Sequence, residues 1–466
     1  MLSSVGKFFA DKFRRIIPES FIFAILLTFL AVILAFFWVD AKPFAIVQAW
    51  YKGFWILLAF AMQMVLILVT GYAIAISPPV TKFLDWLSKK VSTPVGVYVT
   101  VCVAGTIFSL ISWGWIVLTA VLARELGRRV KGVDYRLLAG CVYSTFLVWH
   151  GGLSGSIPLV MNTADNFIIK AGLWDSMIPT TMTLLSPMNI VCNLAILILL
   201  PIIFVAMRPA EKDTVHFDDM IDEEHKAVKQ VSIADEAESL KLPDTNLSDI
   251  LNHSFIIQII IALMGIWYLV WHFSTKGFSL DLNIMNFLFI MVGMICHKTP
   301  FRYLIAMKRA CSNVSGIVLQ FPFYAGIMGI MIHTGLGKAI AMALAGVATV
   351  GTFPFISLLI GGIVNIFVPS GGGEWAVVGP AVVEAAKTLG ASMTPDQLTS
   401  FVARCSMAVA YGDQWTNMIQ PFWTLAFMPV IAAGTKMQAR DIMGYTFVSL
   451  IFSFFVYAIC VTWLPI

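Results

Sequence analysis

Apolar runs of about 17 to 25 residues recur from one end of this chain to the other, the length an α-helix needs to cross the hydrocarbon layer of a bilayer. Runs such as IPESFIFAILLTFLAVILAFFWV and HSFIIQIIIALMGIWYLVWHF are too many to hide in a soluble core. With 59% hydrophobic and only 12% charged residues among 466, the chain reads as an all-α polytopic membrane protein whose solvent is lipid. The first run is too long for the apolar region of a signal peptide and lacks a small-residue cleavage site, so it reads as a retained span.

The same composition excludes several functions. Seven cysteines lie mostly inside apolar runs, with no Cys-x-x-Cys and no Cys/His cluster at metal-ligand spacing, so no structural metal is expected. No Gly-rich loop ends in Lys-Ser/Thr to cradle ATP, and no nucleic-acid motif occurs. No organic cofactor is implied.

The polar segment 208–252 divides the chain into two similar lengths. Its Arg208–Leu251 part carries twelve acidic and five basic residues, and it reads as an acidic cytoplasmic linker, exposed and partly disordered, with no role beyond connection. Placing the N-terminus in the cytoplasm puts 23 of the 30 basic residues inside and six outside, with Arg404 within a span, which satisfies the positive-inside rule. The expected elements are 17–39, 54–77, 95–125, 137–163, 186–207 and a connecting span 253–271, then 281–297, 314–333, 352–387, 399–430 and 443–464.

Four of these elements cannot be plain spans. The stretch 95–125 begins and ends beside basic residues yet is short for two crossings, so it reads as a re-entrant hairpin with its tip at SWGW. Next, 137–163 is interrupted by HGGLSGS and reads as a discontinuous helix. The second half repeats the order: a hairpin over 352–387 with PSGGGEW at its tip, then a helix over 399–430 broken at YGDQWTN. Lys and Arg are nearly absent from the flanks of the second hairpin, so the repeat (1–207 against 281–466) reads as inverted.

Backbone groups left unpaired in hydrocarbon cost several kcal/mol each, so irregular backbone at membrane depth survives only against protein or water. Secondary carriers use such breaks to present amides to anionic substrates and carbonyls to Na⁺. Candidate substrate-binding residues are therefore Ser112, Trp113 and Gly114 at the first tip, and His150, Gly151, Gly152, Ser154 and Ser156 at the first break. At the second tip they are Ser370, Gly371, Gly372, Gly373 and Trp375, and at the second break Gln414, Thr416 and Asn417. Glu374 and Asp413 are the candidate ion-coupling residues, because a carboxylate within a membrane is costly; the alternative is that both are merely solvated at the interface. Arg404 either neutralises an acid or snorkels to the surface. His150 either titrates or packs. Trp113, Trp115, Trp149, Trp375 and Trp415 crowd the breaks and suit a small amphiphile as well as they suit plain packing.

PSGGGEW followed by GP, HGGLSGS followed by IP, YGDQWTNMIQPFW, and SWG before LARELGRR resemble the signatures of the bacterial short-chain fatty acid transporter (AtoE-like) family, in order over nearly the whole chain. The resemblance implies a carrier of short monocarboxylates such as acetoacetate or butyrate. It also implies a homodimer working by an elevator motion, as in the wider group of ion-coupled carboxylate carriers. The carrier would sit in the bacterial inner membrane, with H⁺ or Na⁺ as coupling ion and no resident metal beyond Na⁺ at the breaks.

Two rivals remain on the sequence. A cation/proton antiporter would use Glu374 and Asp413 and bind no organic substrate. An enzyme could be built on Gly152-Leu153-Ser154-Gly155, which spells the Gly-x-Ser-Gly of intramembrane serine proteases, but that chemistry needs a histidine within reach of Ser154. His272, His297 and His333 all fall near span ends.

Overall fold

Among the described residues, proline placed just after a hydroxyl residue starts five of the helices, the fifth at Thr299-Pro300, because proline fixes a helical φ and lacks the N–H that a first turn leaves unpaired. Thr93 caps Gly96 ahead of Pro94, and Ser186 caps Asn189 ahead of Pro187. Thr394 and Gln397 form a reciprocal capping box around Pro395, and Ser77 precedes Pro78 without a side-chain cap. The computed structural model describes residues 20–222, 231–241, 246–311, 314–366, 368, 370–420 and 423–466.

The first half contains α1 Ser20–Trp38, α2 Pro43–Gly53, α3 Leu58–Ala75, α4 Pro78–Ser88, α5 Pro94–Ile111, α6 Ile116–Arg129, α7 Tyr135–Ser144, α8 Ser156–Met161, α9 Phe167–Lys170 and α10 Pro187–Ala206. The polar segment holds α11 Ile233–Ser239 and α12 Leu247–Asn252. The second half contains α13 Phe255–Lys276, α14 Leu282–His297, α15 Pro300–Cys311, α16 Ser315–His333, α17 Leu336–Val347, α18 Phe353–Asn365, α19 Gly371–Leu389, α20 Pro395–Thr416, α21 Thr424–Ile431 and α22 Met443–Trp463. Among the described residues the only extended pairing is a single bridge between Ile221 and Thr435. Among the described residues six helical stretches are long and apolar enough to cross a membrane, or seven with α16 and α17 taken as one bent span. The molecule is thus an all-helical polytopic membrane protein.

Several features differ from the expected spans. Amphipathic helices α2 and α4 flank α3 where the sequence suggested one crossing. The 314–333 span continues, after a 74° bend, as α17; Gly335 makes that bend with φ +82, a conformation open to glycine. The helix expected to break at YGDQWTN stays regular through Tyr411, Gly412 and Asp413 and opens only at Asn417. Pro421, without an N–H, follows four residues later.

The central segment is also more than a tether. Ile233 and Ala237 are buried against Ala73, Ile305 and Ala306, and Arg309 binds Glu236. Phe217 lies edge-on to Tyr135 and beneath the guanidinium groups of Arg124 and Arg128. Two backbone bonds, Asp222 N–H to Gly434 and Lys436 N–H to Met220, dock it on the loop before α22.

Two helix pairs meet head to tail at a tip, α5 with α6 and α18 with α19. Two further helices are interrupted, α7 before α8 and α20 before α21. Each tip packs on the interruption that follows it in the chain.

Candidate functional site

At the first tip, α5 ends at Ile111 and Ser112 turns extended (φ −153, ψ 128) before the tight turn Trp113–Trp115 starts α6. The Trp113 amide donates to Ser154 Oγ at 2.9 Å, and the Leu153 amide donates to the Leu110 carbonyl at 2.6 Å. A Cβ on Gly152 would stand 2.3 Å from that carbonyl, so glycine is what lets the interruption reach the tip. Ser154 Oγ thus accepts at the joint between tip and interruption, a bond that leaves its O–H uncommitted. Gly114 meets nothing nearer than 3.7 Å, and packing does not require it.

The interruption itself runs as a 3₁₀ turn over Thr145–Gly151 into an extended Gly152. Part of its freed backbone is satisfied from other helices. Asn189 and Asn193, one turn apart on α10, donate to the Gly151 carbonyl at 2.9 and 3.1 Å. The His150 amide donates to Gln414 Oε1 at 3.1 Å.

The second pair follows the same logic. Asn365, the last residue of α18, donates to the Asp413 carbonyl at 2.7 Å and to Thr416 Oγ1 at 2.8 Å. Thr416 donates onward to the Gly362 carbonyl at 2.9 Å. Where α20 opens, Tyr143 Oη lies 2.6 Å from the Asn417 carbonyl and 2.8 Å from that of Gln420, while Gln420 Nε2 donates to the Asn365 carbonyl. Trp149 Nε1 donates to Asn417 Oδ1 at 3.3 Å. An indole N–H is only a donor, so this contact fixes the amide and leaves Asn417 Nδ2 pointing elsewhere.

At the second tip Ser370 is extended (φ −154, ψ 105), much like Ser112, and its side chain caps α19 through the Gly373 amide. Each glycine then lies against a different wall. A Cβ on Gly371 would meet His150 Nε2 at 2.1 Å and Ser156 Oγ at 3.0 Å; on Gly372 it would meet the Phe60 ring at 2.5 Å, and on Gly373 the Tyr324 ring at 2.6 Å. Trp375 is fully buried, one turn below Gly379, whose missing side chain makes room for the indole.

The second tip thus meets the first interruption at His150. His150 Nε2 lies 3.0 Å from Asp413 Oδ2, with both side chains fully buried. The Trp149 ring lies over His150 at 3.6 Å between centroids, and Trp113 and Trp423 continue the aromatic wall. Glu374 is also fully buried; its carboxyl adjoins that of Asp413 and lies over Gly361, with Oε1 3.1 Å from where a Cβ there would stand. Both oxygens of Glu374 and Asp413 Oδ1 receive no hydrogen bond from a described donor. His150 Nδ1, Ser156 Oγ, Ser112 Oγ and Asn417 Nδ2 are buried polar atoms likewise without a described partner.

The candidates therefore sort into groups. His150, Gly151, Ser156, Gly371, Glu374, Asp413 and Gln414 come together at one point. Trp113 and Asn417 join them through Trp149. Ser154, Ser370 and Thr416 are engaged in holding the backbone. Ser112 and Gly114 sit apart against α3, where Ser112 Oγ stands 2.8 Å from where a Cβ on Gly71 would lie; no contact brings Trp375 to His150. Arg404 donates to the Val461 carbonyl at 3.2 Å, well away from both acids. Among the described residues no group of three or more His, Cys, Asp or Glu could hold a metal. The residues missed on the sequence are Tyr143, Asn189, Asn193, Asn365 and Gln420. For the α10 pair a signal existed: two asparagines four apart in an apolar run must share a helix face.

The family model described as "Short chain fatty acid transporter" matches residues 1–464. An Escherichia coli protein provisionally named a short-chain fatty acid transporter is 39% identical over 99% of this chain and 100% of its own length. A Haemophilus influenzae protein with the same provisional name is 37% identical over 97% and 98%. Two solved structures share the fold: the Alcanivorax borkumensis YdaH transporter (TM-score 0.57, 14% identity, 96% of this chain and 98% of that one), and Neisseria gonorrhoeae MtrF, described within a class of antimetabolite efflux pumps (TM-score 0.54, 18% identity, 96% of each). The chain accordingly belongs to the short-chain fatty acid transporter family, and is a transporter rather than an enzyme.

Proposed function

We propose that this chain is a secondary active carrier of the bacterial inner membrane that takes up short-chain fatty acid anions of the acetoacetate or butyrate type together with a cation. The observation that carries this reading is the meeting of Gly371 with His150 and Ser156. There, buried polar atoms from both halves of the chain converge beside an aromatic wall. A small carboxylate would take its hydrogen bonds from Ser156 and Asn417 beside the His150 ring, and lay its short apolar tail against Trp149 and Trp113. Two inverted repeats, with the tips as re-entrant hairpins, an elevator motion, a homodimer and a cytoplasmic N-terminus and linker complete the proposal. Ser112 and Ser370, alike in backbone conformation at the two tips, support the repeat.

A cation/proton antiporter would account for Glu374 and Asp413 but would leave those polar atoms without an anion to bind. The deciding experiment is uptake of labelled butyrate and acetoacetate into proteoliposomes, with Na⁺ and pH gradients varied separately. Protein-dependent uptake of either acid is expected. Its absence under both gradients refutes the reading.

A further inference from the structure

A carboxylate entering this site would find two acids already there and no basic side chain except histidine. Among the described residues no Lys or Arg is buried, whereas Glu374, Asp413 and His150 are fully so. The groups that face the acids can be followed helix by helix. On α18 and α8 there is no titratable residue. From α16 comes Tyr324, seated on Gly373, and from α7 Tyr143, committed to two carbonyls. On α22, Tyr457 stacks on Tyr411 of α20, and Cys460 adjoins Cys192. Lys338 on α17 and Lys170 on α9 are turned out of the protein interior, and Arg404 is on Val461. Added negative charge in this site must therefore be offset by a cation that arrives with it.

The interrupted backbone argues against Na⁺ as that cation. Carriers that bind Na⁺ at helix breaks use the carbonyls that unwinding frees. Here five of the carbonyls at the described breaks already accept from side-chain donors: Gly151 from Asn189 and Asn193, Asp413 from Asn365, Asn365 from Gln420, and Asn417 and Gln420 from Tyr143. Among the side-chain oxygens left without a described hydrogen bond, those of Glu374 and Asp413 Oδ1 are the charged ones, beside the neutral oxygens of Asn365, Gln420, Asn193 and Ser156. Adjacent buried carboxyls with no donor are satisfied by a hydrogen shared between them.

We propose that the coupling ion is a proton held by the Glu374–Asp413 pair, and that one proton moves with each monocarboxylate, making transport electroneutral. This rests on the carrier reading above. The empty pair holds one proton, with His150 donating to Asp413 Oδ2. The arriving anion adds one negative charge, and a second proton taken up by Glu374 or Asp413 cancels it. Release on the other side returns anion and proton together, and no bond other than O–H is made or broken.

The test is the initial rate of labelled acetoacetate uptake into proteoliposomes, with protein-free vesicles subtracted. An inward gradient of about one pH unit should drive accumulation to a limit of about tenfold, the value for one proton, against about a hundredfold for two. Na⁺ should have no effect, and neither should a potential imposed with potassium and valinomycin. Glu374→Gln and Asp413→Asn should each lose tenfold or more of the pH-driven rate, whereas Glu384→Gln, on the same helix outside the site, should keep it. Uptake driven by Na⁺ and insensitive to pH overturns the proton assignment and leaves the carrier reading standing. So does retention of the pH response in both carboxyl variants. A response to imposed potential overturns the one-to-one count, and no uptake under any gradient overturns both readings.

Discussion

Replacing Gly371 by alanine adds one methyl group where the two halves of the chain touch. The backbone would accept it, since Gly371 is not among the residues with positive φ and alanine is the better helix former. The obstacle is the neighbour: the new carbon would stand 2.1 Å from His150 Nε2 and 2.4 Å from Cε1, against a comfortable separation of about 3.5 Å or more. His150 cannot simply turn away, because Nε2 is bonded to Asp413 Oδ2 at 3.0 Å and the ring is covered by Trp149. Forcing a methyl into such packing costs about 1–3 kcal/mol, which is roughly 5- to 150-fold in any equilibrium that requires the tip to close on His150. Initial-rate uptake of acetoacetate in proteoliposomes, normalised to reconstituted protein, should fall by about that factor. Gly346→Ala is the matched control: it lies in α17 with nothing within 4 Å of the added carbon, and should transport normally. Wild-type uptake by Gly371→Ala would show that the contact between tip and interruption plays no part in transport.

Three further outcomes are expected. Asn189→Leu should lower the melting temperature more than Asn193→Leu, because Asn189 also donates to the Leu184 carbonyl at 2.7 Å and accepts from Tyr411 at 2.9 Å. The double variant should exceed the sum of the two, since it alone leaves Gly151 without a side-chain donor; additive shifts in a thermal melt would argue against this. Tyr143→Phe strips the hydroxyl from the Asn417 and Gln420 carbonyls and should cost about 1–3 kcal/mol, read as a lower melting temperature; an unchanged melt would mean that the opening of α20 is held by other groups. Arg404→Gln should leave the pH response of uptake intact, because its guanidinium serves the Val461 carbonyl; loss of the response would place Arg404 in the proton path.

Helices and membrane were legible because each apolar run is long enough to announce itself. The positions of the interruptions were less so, for a physical reason. Polar residues in YGDQWTN suggested a break, yet Asp413 stays helical because Asn365 holds its carbonyl and His150 its carboxyl, both from distant parts of the chain. A hydroxyl's allegiance is also settled only in three dimensions. Ser154 accepts from the Trp113 amide and Ser370 from the Gly373 amide that starts its own helix, backbone roles that stand beside any role toward a substrate. Tyr143, Asn189 and Asn365 each lie far in sequence from the carbonyl they satisfy, so no local pattern could have paired them. The linker misled for a similar reason: its net acidity is local, but Phe217, Ile233 and Ala237 find their partners elsewhere.

Three glycines in a row suggest one role repeated three times, and the walls around them argue otherwise. Gly372 faces Phe60, which belongs to an aromatic cluster with Phe167 and Phe321 at 5.3 and 5.6 Å. Gly373 faces Tyr324, anchored through its hydroxyl to Gln320 at 2.9 Å. Both neighbours are ring edges on α3 and α16, so these two glycines set how closely the start of α19 lies against those helices. Gly371 alone touches a group that also touches an acid. A displacement of the tip that moves Gly371 must therefore uncover or reseat His150, and His150 cannot move without altering the partner of Asp413. Position of the tip and state of the carboxyl pair are tied through one imidazole, which is the physical link a carrier needs if its proton is to travel only when its substrate does.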